Sequence, residues 1–302
     1  MPGAEAVRTK GWFLAWRWLL ARRVSQISIM GLFLLGPLAD LWWIKGNLSS
    51  SLVLNTVPLT DPFLLLQTLA AGHLPVTTAL LGALFVLGFY AMLGGRIFCS
   101  WVCPVNVVTD TAGWLRRRLD IRKTSKLSRS MRFWMLGMAL LVPGLTGYLV
   151  WELVNPVSLL HRGLIFGMGM GWTLILGIFL FDLFVSRRGW CGHLCPMGAF
   201  YNLLGSVAEK TGVSLIKVNA KDRSRCNDCM DCFAVCPEPQ VIKPALKGKG
   251  SPVIIASDCT QCGRCIDVCA QEVFHYNTRF AQFDATTSTG SSEYATNYKA
   301  EK

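Results

Sequence analysis

The sequence predicts an α-helical membrane domain followed by a smaller, polar α+β domain. Of the 302 residues, 52% are hydrophobic and only 16% are charged, whereas about a quarter of the residues in a soluble domain are charged. Four long apolar runs precede a polar stretch that holds most of the twelve cysteines. Twelve cysteines in 302 residues are a smaller share than the roughly 8–10% Cys that small disulfide scaffolds typically exceed. A purely soluble enzyme and a small secreted scaffold are therefore both excluded.

The four apolar runs predict four transmembrane helices. Roughly 20 helical residues cross a bilayer core of about 30 Å, and a helix satisfies its backbone polar groups within its own segment. The predicted spans are residues 24–44, 77–98, 133–154 and 163–185. We expect residues 24–204 to form the membrane domain and residues 1–23 to form a cytoplasmic or interfacial segment.

Basic residues predict the orientation of these spans. Lys and Arg are concentrated before span one, between spans two and three, and directly after span four, whereas the other links hold one each, Lys45 and Arg162. Cytoplasmic loops carry an excess of Lys and Arg, so both termini are expected in the cytoplasm. The net charge of +12 is then a property of these loops, and no nucleic-acid partner is predicted.

An internal repeat contains two cysteine pairs. A C-x₃-C-P motif occurs at Cys99 and Cys103 and again at Cys191 and Cys195, each time after an arginine and an aromatic residue. This spacing places two sulfurs about one turn apart on one helix face. The four thiols would hold a third metal centre or form redox-active pairs. The alternative is that they are reduced cysteines which only pack at helix ends.

A fainter echo of the repeat pairs Asp61-Pro62 with Asn155-Pro156. Together with the duplicated C-x₃-C-P motif, it predicts that the membrane domain consists of two pseudo-repeats. Each would be a pair of helices, and the two pairs would be related by a pseudo-two-fold axis along the membrane normal.

Two runs of the form C-x₂-C-x₂-C-x₃-C lie in residues 205–280. This is the pattern of bacterial two-cluster ferredoxins, in which the fourth Cys of each run ligates the other cluster. The predicted ligands of the first 4Fe-4S cluster are Cys226, Cys229, Cys232 and Cys269, and those of the second are Cys259, Cys262, Cys265 and Cys236. A zinc site is not favoured, because structural zinc sites use pairs of closely spaced cysteines and the third cysteine of each run would have no role. Disulfides are not favoured either, because cytoplasmic thiols stay reduced. Residues 205–280 are therefore predicted to be an α+β ferredoxin domain.

Two further segments are predicted to lack a site. Residues 247–250 are expected to form a turn between the halves of the ferredoxin domain. Residues 281–302 are polar and rich in Ser and Thr, a composition typical of a disordered tail.

Missing motifs narrow the chemistry further. No histidine lies inside a predicted span, and the chain has no C-x-x-C-H, no P-loop and no G-x-G-x-x-G after a strand, so haem, ATP and nicotinamide sites are not predicted. The remaining possibility is one-electron transfer with a partner in the lipid phase, and quinol is the expected electron donor. Quinol oxidation releases two protons, and acids within spans are functional candidates. Among Asp40, Glu152 and Asp182 we favour Glu152 and then Asp182 as proton acceptors; the alternative is an interfacial residue bonded to the backbone.

The motifs in combination resemble a known family. The matching stretches are NTVPLTDP at 55–62, FCSWVCPVN at 98–106, WCGHLCP at 190–196 and both cysteine runs. Over roughly residues 11–278 the chain resembles the NapH-type ferredoxin-like membrane subunit, the quinol dehydrogenase component of periplasmic nitrate reductase systems. The resemblance implies a multi-pass protein of the bacterial inner membrane that oxidises the membrane quinol pool. It also implies two partners, a periplasmic ferredoxin-type iron–sulfur subunit and a membrane-anchored multihaem c-type cytochrome.

A different function is also compatible with these motifs. In that hypothesis the protein is a non-enzymatic maturation or assembly factor, whose clusters and cysteine pairs reduce metals or disulfides in a respiratory enzyme. Accessory proteins of methylamine dehydrogenase resemble the chain and are not excluded by length. The predicted topology also places the clusters in the cytoplasm, whereas the implied acceptor is periplasmic. Either partners carry the electrons across the membrane, or the clusters serve another branch such as redox sensing.

Overall fold

This computed structural model describes residues 2–121, 124–125, 127–167, 169–220, 223–246 and 252–278. The turn predicted at 247–250 and the tail predicted at 281–302 lie outside the described residues. The chain divides into two compact units. The cysteine-rich unit comprises Met1–Arg23, Tyr90–Trp101 and Asn202–Lys302, and the apolar unit comprises Val24–Phe89 and Val102–Tyr201.

The protein is mainly helical. The helices are α1 (Ala4–Lys10), α2 (Trp12–Ala39), α3 (Pro62–Ala70), α4 (Thr77–Leu93), α5 (Ile97–Trp101), α6 (Val105–Arg118), α7 (Met131–Thr146), α8 (Val150–Val154), α9 (Pro156–Phe166), α10 (Gly171–Leu180), α11 (Pro196–Thr211), α12 (Asp231–Val235), α13 (Lys243–Leu246) and α14 (Arg264–Val268). Two π-helical segments, Phe181–Val185 and Trp190–Leu194, lie between α10 and α11, and 3₁₀ turns lie at Arg223–Arg225 and Pro239–Val241.

One helix stands out as a membrane span. Among the described residues, α2 is the helix that is both long and apolar enough to cross a membrane, with 28 residues. Helices α4 and α7 and the stretch Gly171–Val185 are apolar but shorter. They lie where spans two, three and four are predicted. The apolar N-terminal helix indicates membrane association, and the count of four spans stays a prediction.

The structure corrects the ends of three predicted spans. Helix α2 stops at Ala39 because Asp40 adopts a left-handed φ of 57°, and the chain then enters a strand at Ile44. Helix α7 stops at Thr146, where Gly147 has a φ of 73° and donates its N–H to the Pro143 carbonyl. The start of the fourth predicted span instead belongs to α9, which ends before Gly167 at a φ of 86°. Residues with a positive φ therefore end helices within apolar runs for which hydropathy alone predicts one continuous helix.

The apolar unit contains a three-stranded antiparallel sheet that the sequence analysis did not predict. Its strands are β1 (Ile44–Gly46), β2 (Ser50–Val53) and β3 (Val57–Thr60), in that order. In the register of the second pair, Ser50 lies opposite Thr60. Just beyond that pair, the Asp61 N–H donates to the Ser49 carbonyl at 2.8 Å. The sheet thereby fixes the backbone directly before α3.

The cysteine-rich unit has a second antiparallel sheet, formed by β4 (Ile216–Asn219), β5 (Val253–Ile254) and β6 (His275–Thr278) in the order β5-β4-β6. Helices α12 and α14 pack against each other. The hydrophobic core includes Val218, Ile242 and Phe274 together with buried cysteines. Six of the eight cysteines lie within or beside this core, namely Cys226, Cys232, Cys236, Cys259, Cys265 and Cys269.

The N-terminal segment is part of the cysteine-rich unit. The buried Asp267 carboxylate accepts the N–H groups of Trp18 and Leu19, each at 3.1 Å, and the guanidinium of Arg264 at 3.0 Å. The Trp18 ring also meets Tyr276 edge-on, with ring centroids 4.7 Å apart. The sequence analysis assigned residues 1–23 to the cytoplasm or the membrane interface and did not predict this packing.

Candidate functional site

The two cysteine runs have the same local backbone. In each run, the residue directly after the second cysteine has a left-handed φ, which is 62° at Met230 and 70° at Gly263. A five-residue helix begins at the next residue, α12 or α14, and the fourth cysteine, Cys236 or Cys269, follows the helix in an extended conformation. A left-handed residue is what turns the loop back over its own cysteines. The repeated geometry therefore gives two equivalent loops.

The first predicted set of thiols lies together. Burial raises the pKa of the Cys232 thiol to about 12, and the neighbouring thiols of Cys269, Cys229 and Cys226 add to the shift. Cys269 belongs to the other run, so Cys232 neighbours the fourth cysteine that the predicted exchange assigns to its set. Cys229 is exposed, whereas Cys232 is buried.

The second predicted set is grouped in the same way. Burial raises the pKa of the Cys236 thiol well above its usual value, and Cys262 and Cys259 add to the shift. The pKa of Cys265 is raised by burial and then by Cys262, Cys236 and Cys259. Among the described residues, no three His, Cys, Asp or Glu side chains are grouped for a single metal ion. Each predicted set would supply four thiols, which is the donor number and type that a 4Fe-4S cluster requires.

The first C-x₃-C-P motif begins in the cysteine-rich unit. Arg96 is buried and pairs with Glu238 at 3.1 Å and with Asp258 at 3.4 Å, which adjoin the second thiol group. The Ser100 hydroxyl donates to the Thr260 carbonyl at 2.6 Å. Of the motif cysteines, Cys99 falls in this unit, whereas Cys103, Cys191 and Cys195 fall in the apolar unit. All four are half-buried.

The second C-x₃-C-P motif is fixed by Asp182. The buried Asp182 carboxylate accepts the Trp190 N–H at 2.9 Å, at the start of the π-helical turn that carries Cys191. Arg116 donates to the carbonyls of Asp182 and Leu183, at 3.3 and 3.0 Å. Asp182 thus holds the backbone beside Cys191, which fits the alternative role of a backbone-bonded acid.

Glu152 is surrounded by hydrogen-bond donors. Its Oε1 accepts the hydroxyls of Ser49, at 2.8 Å, and of Ser158. Its Oε2 accepts the amide of Asn155 at 3.0 Å. Ser49 and Ser158 are both buried, and Ser49 lies 103 residues away along the chain. Three side-chain donors on one carboxylate form a polar cluster in the apolar unit.

Asp61 is a second acid at this cluster, and the sequence analysis did not single it out. Its Oδ1 accepts the Phe63 N–H at 3.1 Å and the Tyr201 hydroxyl at 3.3 Å. Asp61 lies outside the predicted spans. Burial raises the pKa of its carboxyl to about 7, and the nearby charge of Glu152 adds to the shift. The similarity of Asp61-Pro62 to Asn155-Pro156 is the one sequence feature that points to Asp61, and by itself it predicts only a repeat.

Several buried polar atoms on α3, α8 and α9 lack a hydrogen-bonding partner within the described part of the chain. They are both ring nitrogens of His161, Nε1 of Trp151 and Oε1 of Gln67. His161 is 2% exposed and lies one turn after Ser158 on the buried face of α9. Buried polar groups normally have partners. These side chains therefore have unused hydrogen-bonding capacity on the helices that carry or follow the two acids.

Two family models match the chain. One, described as a 4Fe-4S binding domain, matches residues 76–122 and again 167–214, so that each match contains one C-x₃-C-P motif. The other, described as a 4Fe-4S dicluster domain, matches residues 218–270, which contain both long cysteine runs. The expectation of an iron–sulfur protein of the ferredoxin type is confirmed.

Curated relatives are similar over nearly the whole chain. The ferredoxin-type protein NapH of Escherichia coli K12 is 51% identical over 92% of this chain and 96% of its own length. NapH of Haemophilus influenzae is 50% identical over the same shares. The methylamine utilization ferredoxin-type protein MauN of Methylorubrum extorquens is 52% identical over 91% of this chain and 94% of its own. No solved structure matches the chain.

Proposed function

The chain belongs to the NapH family of ferredoxin-type iron–sulfur proteins, with the MauN proteins as close relatives, and we propose that it is a membrane-bound quinol dehydrogenase subunit. Electron transport by iron–sulfur clusters follows from the family. The polar cluster around Glu152 is the observation that extends this to quinol. Acids within predicted spans are candidates for function, and Glu152 is one that three side-chain donors hold in place.

The eight cysteines of the two runs would hold two 4Fe-4S clusters, four thiolates each, with the fourth cysteine of each run exchanged. When bound, the clusters supply one-electron oxidation and reduction. The chain's own contribution is to bury Cys232, Cys236, Cys262 and Cys265 and to pack the two loops together through α12 and α14. Arg96 places a buried positive charge beside the second group.

Glu152 would accept a proton when quinol is oxidised. Ser49, Ser158 and Asn155 orient its two oxygens, so that the carboxylate keeps one position among the apolar helices. Asp182 receives a different role. Because its carboxylate already accepts the Trp190 N–H, it acts as a positioning residue for the second C-x₃-C-P motif.

We place the protein in the bacterial inner membrane with four spans and both termini in the cytoplasm. The long apolar α2 and the three shorter apolar helices support the spans, and the distribution of Lys and Arg supports the orientation. The electrons would pass towards a periplasmic nitrate reductase. The partners would be a periplasmic ferredoxin-type subunit and a membrane-anchored multihaem c-type cytochrome.

The direct test uses anaerobically purified full-length protein in detergent. Mixing it with a soluble quinol analogue should produce the electron paramagnetic resonance signal of reduced clusters. Iron analysis should give about eight atoms per chain for two clusters, and about twelve if the C-x₃-C-P cysteines hold a third 4Fe-4S cluster. A protein that dithionite reduces but quinol does not would overturn the proposal.

A second function is favoured by the similarity to MauN, which is named for methylamine utilization. In this alternative, the protein is a maturation or assembly factor, and its clusters and C-x₃-C-P pairs reduce metals or disulfides in a client enzyme. It predicts an intact cluster signal with dithionite, no reduction by quinol, and reduction of a client disulfide or metal. The quinol experiment therefore separates the two functions.

A further inference from the structure

Asp61 is a buried-site acid that the proposed function leaves unused. We infer that Asp61 and Glu152 together form one quinol head-group site, in which each carboxylate accepts one of the two protons. This inference rests on the proposed quinol oxidation and adds the second acceptor. It also assigns the place where the head group binds, beside α3, α8 and α9.

Ser49 connects the two acids. Its carbonyl accepts the Asp61 N–H at 2.8 Å, and its hydroxyl donates to Glu152 at 2.8 Å. The hydroxyl also lies 3.3 Å from that of Ser158. One residue therefore fixes the backbone of the first acid and the side chain of the second. The charge of Glu152 also contributes to the raised pKa of Asp61.

Unsatisfied atoms on the helices that carry or follow the two acids offer hydrogen-bonding partners to a polar ligand. His161, Trp151 and Gln67 are 2%, 7% and 1% exposed, and they offer two ring nitrogens, an indole N–H and an amide oxygen. Burial and the neighbouring Arg162 lower the pKa of His161, which favours a neutral imidazole that both donates and accepts. A quinol head group has two hydroxyls that also donate and accept. The aromatic ring of the quinol could pack against the Phe33 side chain. The Phe33 ring lies edge-on to the His161 ring, with ring centroids 4.9 Å apart.

The reaction balances with two acceptors. Quinol would lose two O–H bonds and become quinone, and its two electrons would be taken up by the two oxidised 4Fe-4S clusters that the eight cysteines would hold. The two protons would form one carboxyl O–H bond on Glu152 and one on Asp61. Protonation of Glu152 would remove the negative charge that contributes to the raised pKa of Asp61.

A purely structural role for Asp61 makes a different prediction. Asp61 caps α3, and Asn155 caps α9 in the same way, so Asn is a suitable cap at this position. Asp61→Asn therefore keeps the cap and removes the proton acceptor. We expect the rate of cluster reduction by a soluble quinol analogue to fall about 10²-fold, with iron content and the dithionite-reduced signal unchanged. A rate within about twofold of the unmodified protein would overturn the inference.

The control is Asp40→Asn. Asp40 is an exposed acid of the same unit that accepts the Trp42 indole N–H, and its replacement is expected to leave the rate unchanged. The titratable groups that contact or influence Asp61 are Glu152 and Tyr201. Since the acceptor must be deprotonated, the rate should fall as the pH drops below about 7, and Asp61→Asn should remove that fall.

A measurement on the unmodified sequence covers the case in which the variant does not fold. Infrared difference spectra of quinol-driven reduction should show C=O bands of newly protonated carboxyls, and ¹³C-labelled aspartate should shift one of them. Absence of a shifted band overturns the assignment of Asp61 even when quinol reduces the clusters. If quinol fails to reduce the unmodified protein, the proposed function itself is wrong.

Discussion

Helices α3 and α9 begin in the same way and differ in charge. Asp61 caps the first and Asn155 the second, each accepting the N–H two residues on at 3.1 Å, and each is followed by proline. Proline suits the first helical position because no N–H is lost there. The first half carries its acid at the cap itself, whereas the second carries Glu152 three residues before the cap. The two halves therefore share the helix-cap geometry but carry their carboxyl groups at different positions.

The arginines of the two C-x₃-C-P motifs show the same kind of divergence. Arg96 is 1% exposed along its side chain and pairs with two acids of the cysteine-rich unit, Glu238 and Asp258. Arg188 pairs with Asp110 of the apolar unit, and both side chains are 13% exposed. The same motif position therefore stabilises a different unit in each half.

The largest expected effect comes from removing Arg96. Arg96→Met leaves two acids without their shared cation, and breaking a buried pair in this way costs about 3–5 kcal/mol. Arg188→Met is the matched variant and should cost less, because its pair is more exposed. Thermal unfolding in detergent, followed by loss of cluster absorbance, measures both. Equal shifts for the two variants would show that the halves are not energetically distinct.

The next effect tests the acid beside the second cap. Glu152→Gln keeps an acceptor for the serine hydroxyls and removes the proton acceptor. We expect quinol-driven cluster reduction to slow about 10²-fold, with the iron content intact. Stopped-flow reduction with a quinol analogue measures the rate. Unchanged turnover would contradict the role of Glu152.

A smaller effect separates positioning from proton transfer at Asp182. Asp182→Ala removes the acceptor of the Trp190 N–H and should destabilise the protein by about 1–3 kcal/mol. Asp182→Asn keeps an acceptor oxygen and should restore both stability and the rate of quinol oxidation. Thermal unfolding and stopped-flow reduction together measure the pair. Slow oxidation in Asp182→Asn, with normal stability, would instead indicate a proton acceptor.

The smallest effect concerns the caps themselves. Asp61→Ala and Asn155→Ala should each destabilise by about 1 kcal/mol, the usual loss for a helix N-cap. Asp61→Asn should cost little in stability, since the cap is kept. Comparing the three unfolding midpoints checks whether the two caps are equivalent. A large loss in Asp61→Asn would indicate that its charge supports the fold.

The cysteine spacing predicted the 4Fe-4S, ferredoxin-type character of the chain, which the family models confirm. The left-handed residue and the short helix in each run were not predicted and are seen in the structure. The breaks in the apolar runs were missed because hydropathy does not report backbone conformation. Gly147 and Gly167 take positive φ values, and only the folded chain shows that they end helices there. The sheet β1–β3 was missed for a related reason, since its strands are three or four residues long.

The sequence alone determined the iron–sulfur character of the chain. It also predicted the two thiol sets, the repeat and Glu152 as a candidate, because each depends on spacing or composition within a short stretch. The tertiary structure decided which distant groups meet. Asp61, Ser49 and Glu152 come together through a sheet and two capped helices, and Asp267 anchors the N-terminal segment to α14. Such contacts depend on packing between segments far apart in the chain, and no local pattern of residues encodes them.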